Sequence, residues 1–172
     1  MVKDRSRRNF IRTAPLAAAA VSLPLTNLPA FAAETIAPEP FQHFKADKLA
    51  DATAKLHATP GNDNLYASAS GLLTIVLTTE EKKAGKEFEY HEGRDHIFQI
   101  LEGATTYELG GTPTNPRNTK PGEWLAPASE GATTVALHKG DMLVIPRGTP
   151  HKRTTETSVT FYLISTMGST KP

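Results

Sequence analysis

Two periodicities divide the chain. Between Ala46 and His57, the positions Leu49, Ala52, Thr53 and Leu56 fall at i, i+3, i+4 and i+7, with Asp47, Lys48, Asp51 and Lys55 off that stripe. This spacing predicts one short amphipathic helix. The cluster Thr59-Pro60-Gly61-Asn62-Asp63-Asn64 is a dense turn signal that ends it. From Leu65 onward the pattern is that of strands: Leu65–Ala69, Leu72–Thr79, Ala104–Leu109, Thr133–His138, Asp141–Ile145 and Ser158–Ser165. Short strands punctuated by turn residues, with a single helix, predict an all-β sandwich or barrel.

Two segments break this rhythm. Glu80–Lys86 is a charged connection, and residues 112–131 hold prolines 113, 116, 121 and 127 together with the only tryptophan, Trp124. The second is expected to be a long irregular insertion, either a surface loop pinned by Trp124 or a lid over a site.

The chemistry concentrates in Glu89–Gly103, EYHEGRDHIFQILEG. Glu89 and His91 are two residues apart, so on a strand they share a face. Gly93-Arg94-Asp95 is expected to turn the backbone, after which His96 opens a new strand with Phe98 and Ile100 on its face. His151 is the best source of a fourth ligand. With no cysteine in the chain, disulfides, thiolate metal sites and cysteine nucleophiles are excluded, and a metal would be held by nitrogen and oxygen.

A second stretch, Gly140-Asp141-Met142-Leu143-Val144-Ile145-Pro146-Arg147-Gly148-Thr149-Pro150-His151, feeds a buried strand into a Pro-x-Gly turn and then a histidine. This spacing resembles the second signature motif of the cupin superfamily, and residues 89–103 resemble the first; the likeness spans roughly residues 65–165. It implies a single-domain jelly-roll β-barrel, preceded by one short N-terminal helix, with metal ligands on two facing motifs inside the barrel. The first motif departs from the usual order: His96 stands where the family has glutamate, and Glu89 where it has the first histidine. The content of three histidines and one carboxylate is kept, so Glu89, His91, His96 and His151 are the expected metal ligands. Glu89 either ligates or orients a histidine from outside the ligand shell. Thr155 and Lys83 also differ from the residues usual at the motif ends.

Such a nitrogen–oxygen set suits a first-row divalent ion, and intrinsic affinity ranks copper and nickel first. Iron or manganese is favoured because folding in the cytosol, where copper and zinc are tightly buffered, would trap a weaker-binding ion, with zinc, nickel or copper as other occupants. Proteins resembled include dioxygenases, isomerases and lyases, and the fold does not choose among them. The expected function is a metal-dependent enzyme acting on a small organic molecule; the alternative is a periplasmic binding cupin without turnover. Two residues past His151, Arg153 shares its inward face. It is expected either to pair with an internal carboxylate, Glu89 or Asp95, or to grip a substrate carboxylate through two parallel hydrogen bonds.

The N-terminal segment changes the charge balance. Ser6-Arg7-Arg8-Asn9-Phe10-Ile11-Arg12, an apolar run from Ala14 to Leu28 and Ala30-Phe31-Ala32 resemble a twin-arginine export signal with its cleavage site. The run is too short for a span of roughly 18 residues, and Pro15, Pro24 and Pro29 interrupt it. Residues 1–32 are thus expected to be a cleaved signal, 33–64 a lead-in with the helix, and 65–172 the barrel. Five of the 19 basic and one of the 18 acidic residues lie in the signal, leaving 14 basic and 17 acidic groups, a formal −3. That removes any charge argument for nucleic acid. The expected location is periplasmic or otherwise exported, with the twin-arginine machinery as one partner and, by the family resemblance, a homodimer through the N-terminal segment as another.

Overall fold

The computed structural model describes residues 38–168. The expected signal, residues 1–32, and the start of the lead-in lie outside them. Helix α1 (Ala46–Ala58) is followed by β1 (Gly61–Ala67), β2 (Leu73–Lys83), β3 (Phe88–His91) and β4 (Arg94–Leu109). Four short strands come next: β5 (Thr112–Thr114), β6 (Arg117–Lys120), β7 (Glu123–Ala126) and β8 (Ala128–Glu130). Strands β9 (Thr133–His138), β10 (Met142–Ile145) and β11 (His151–Met167) complete the order. The fold is all-β with one short helix, as the two periodicities predict.

Strands β4 and β11 form the spine. They run antiparallel from the pair His151↔Leu109 to Met167↔Arg94. β11 also pairs with β2 along its second half, and β4 carries β9 and β10. On β4 the buried positions are His96, Phe98 and Ile100, then Thr105 and Tyr107, so the inward phase shifts by one between them. The shift falls between Ile100 and Thr105, where the register with β11 breaks at Leu101 and again between Thr154 and Val159; Gly103, between the two breaks, has a φ of 73°, in the left-handed region. A side chain there would strain the backbone and collide with the Ser158 carbonyl. The bend keeps both halves of β4 facing one core of Phe98, Ile100, Tyr107, Leu137, Ile145, Val159 and Phe161.

Three local expectations need correction. Gly61–Asn64 is strand rather than turn, because its backbone pairs with Leu77–Thr79 and Val76 of β2. β4 is one 16-residue strand rather than two short ones, since Gly103 bends it without ending it. Residues 112–131 are not irregular: β5 pairs with β8, and β7 joins both β6 and β3. Trp124 stacks on Tyr90 across the β3–β7 pair, ring centroids 5.8 Å apart, and its Nε1 donates to Glu92 Oε1 at 2.9 Å.

Candidate metal centre

Three elements deliver the histidines. His91 ends β3, a bend at Glu92-Gly93 follows, and His96 is the third residue of β4. His151 opens β11 directly after the Pro146–Pro150 turn. Two clips hold the halves together. The Gly148 N–H donates to the His91 carbonyl at 2.7 Å, and the Arg147 N–H donates to Asp95 Oδ1 at 2.7 Å, with the Arg147 guanidinium on the same carboxylate. A glycine suits the turn because φ at position 148 is 77°.

The result is a compact triad. The rings of His91 and His96 lie 4.9 Å apart, His91 and His151 5.5 Å, and His96 and His151 5.6 Å. One nitrogen of each falls within 4.8 Å of the others, and all three residues are buried. Each ring is held from outside by its Nδ1. His91 Nδ1 bonds Glu123, which also accepts from Arg94 at 2.6 Å. His96 Nδ1 meets Ser165 Oγ at 2.9 Å, and His151 Nδ1 donates to the Thr149 carbonyl at 2.9 Å.

The tautomer of His151 follows. A carbonyl accepts only, so Nδ1 carries the hydrogen and Nε2 presents a lone pair. That Nε2 is buried and has no hydrogen-bond partner among the described residues. An orphaned inward lone pair, beside two imidazoles anchored the same way, fits a metal ion. Electrostatics agrees: burial, then the neighbouring His91 and His151, pushes His96 down to about 3, and burial also lowers His91. Neutral imidazoles are the form that binds metal.

Glu89 faces the triad from β3, its Oε1 3.4 Å from His151 Nε2. The side chain is half exposed and opens on a cavity of about 430 Å³ that Phe98, Tyr107, Leu125, His151 and Arg153 also line.

Arg153 has an internal partner, but neither of the expected ones. Its Nε and Nη2 donate to the two oxygens of Glu80, each at 2.7 Å, and its carbon lies 4.5 Å above the Phe161 ring. Thr155 and Lys83 also bind Glu80, at 2.6 and 3.1 Å. Asp95 is taken by Arg147 and Glu89 looks toward His151, which leaves neither for Arg153. The edge expected to grip a substrate carboxylate through two parallel bonds is therefore spent within the fold.

Sequence reasoning missed Glu123, Ser165, Glu80 and Tyr107. For Glu123 the signal was its place beside Trp124 in a segment too proline-rich to read as strand; Ser165 and Glu80 carry no local signal.

No protein-family model and no curated protein matches this chain. Solved structures do. BH2720 from Bacillus halodurans is 17% identical with a TM-score of 0.52, over 78% of this chain and 86% of that one. A cupin-like protein from Thermotoga maritima is 19% identical (TM-score 0.46, 64% and 71% covered), and KdgF from Halomonas sp. 20% identical (TM-score 0.43, 61% and 77% covered). The likeness is one of fold alone: this chain shares an all-β architecture, here with one short helix, with BH2720.

Proposed function

We propose that the chain is an exported metal-dependent cupin enzyme acting on a small carboxylate-bearing molecule. The observation that carries the reading is the buried His151 Nε2, a lone pair without a partner, beside two histidines whose Nδ1 atoms are also engaged from outside. His91, His96 and His151 would hold the ion, with Glu89 as the fourth ligand. The donor set suits a first-row divalent ion and by intrinsic affinity would take copper or nickel first; folding before export is what would favour iron or manganese over zinc, nickel or copper. Such an ion supplies Lewis-acid or redox activation to a bound oxygen donor.

The protein's own groups bind and orient. Lys83 and Arg153, both on the cavity wall, share the single carboxylate of Glu80, a formal surplus of one positive charge that favours an anionic ligand. Phe98 and Leu125 supply apolar walls. Counted among the ligands, Glu89 is not free to serve as a base, which favours the second reading, a metal-dependent binding protein without turnover.

Export through the twin-arginine route and a homodimer through the N-terminal segment belong to the same proposal. The experiment is metal analysis of protein matured in its host, followed by a turnover screen of small organic acids. Stoichiometric metal with turnover supports the enzyme, metal with binding alone supports the second reading, and absence of metal contradicts both.

A further inference from the structure

Tyr107 and Arg153 are register partners across β4 and β11. Both line the cavity that His151 and Glu89 face, and Tyr107 is 1% exposed. Arg153 Nη1 donates to the Tyr107 hydroxyl oxygen at 3.0 Å. A guanidinium has five donors and no acceptor, so this bond leaves the tyrosine's own hydrogen unused. Among the described residues Arg153 is the only hydrogen-bond partner of that hydroxyl, and none of them accepts its hydrogen.

We propose that Tyr107 is the residue that recognises the ligand's anionic oxygen, donating its hydroxyl hydrogen to a carboxylate seated in the cavity beside His151. Glu80 fixes the guanidinium from behind through two bonds, and the guanidinium in turn withdraws density from the phenol oxygen. A chain of hydrogen bonds running one way strengthens its last donor. Burial raises the tyrosine's pKa, Arg153 opposing, so the group stays a neutral donor at working pH. The fold thereby converts an arginine whose paired edge is already used into support for a neutral donor. Phe98 packs against both Tyr107 and the triad, its ring 5.2 Å from Tyr107 and 5.8 Å from His96, and lines the same cavity as an apolar wall.

The inference deepens the proposed function and rests on it for the ligand's class. It is tested on zinc-loaded wild-type and Tyr107→Phe protein, matched for metal content, by calorimetric titration with pyruvate, lactate and benzoate and with the corresponding amides. Wild type should bind at least one acid better than its amide. Tyr107→Phe should weaken that acid roughly tenfold or more and leave the amide unchanged, the scale of one hydrogen bond to a charged group. Should the variant fail to fold, wild-type protein labelled at tyrosine Cζ answers instead. Saturating acid, and not amide, should then shift the resonance of the one buried tyrosine of the four. The inference is overturned if no acid binds, if acids and amides bind alike, if the variant weakens both equally, or if the label does not respond. None of these outcomes touches the metal reading, which fails separately if His151→Ala protein keeps its full metal content.

Discussion

Glu89 and His151 are register partners across β3 and β11, and their side chains close to 3.4 Å. The carboxylate stands beside His151 Nε2, the fully buried triad nitrogen that makes no hydrogen bond. Glu89→Gln should therefore keep the fold and weaken metal affinity by about 10-fold to 100-fold, the range seen when a coordinating or supporting carboxylate is lost. Chelator competition measures this, and equal affinity in both proteins would remove Glu89 from the site.

Acid should destabilise the metal-free protein over a defined window. The pKa of His96 is lowered from 6.5 to about 3, so the unfolded chain takes up the proton first as pH falls. Stability associated with this group is fully present above about 6.5 and is lost progressively toward 3. His91 and Asp95 are lowered too and act with the same sign. Thermal melts should be flat from neutral to mildly basic pH and fall steadily below it. A stability maximum at acid pH would contradict buried, neutral His91 and His96.

The Glu80–Arg153 pair is mostly buried, at 9% and 17% side-chain exposure. Removing one partner leaves the other charge uncompensated, so Glu80→Ala should cost about 3–5 kcal/mol in urea unfolding. Glu80→Met combined with Arg153→Leu should recover much of that loss. A single-variant cost below about 1 kcal/mol would show the pair to be solvated.

How much of this was legible depends on sequence distance. The histidine triad was readable because each member sits in a local motif: His91 and His96 are five residues apart, and His151 follows a Pro-x-Gly turn. The partner of Arg153 was not, because Glu80 lies in a charged stretch that reads as a connection and becomes the end of β2 only by pairing with Val159. Asp95 looked equally available, and only the fold shows it spent on Arg147. Tyr107 falls on the inward face because the phase of β4 shifts between Ile100 and Thr105, and an irregularity inside a strand has the same sequence signal as a turn between two strands. Residues 112–131 misled for a related reason: four prolines argue against a central strand and are tolerated in short or edge strands.

Export should depend on Arg7 and Arg8, with the mature chain beginning at Ala33. N-terminal sequencing of exported protein checks the cleavage point. Fractionation after replacing both arginines with lysine checks the route, and unchanged location would contradict it. Folding before export would let a weakly competing ion be trapped, so refolding in equimolar mixed metals should give a different occupant from native export. Identical occupancy by both routes would count against trapping.

The central claim is that three outward-anchored histidines present Nε2 atoms to one metal ion. Its most direct test is ¹⁵N NMR of histidine-labelled protein titrated with zinc, alongside metal analysis of wild type and His151→Ala. The account predicts one ion per chain, three imidazoles bound through Nε2 with Nδ1 protonated, and loss of stoichiometric metal in the variant. Coordination through Nδ1, or an undiminished metal content in His151→Ala, would contradict it.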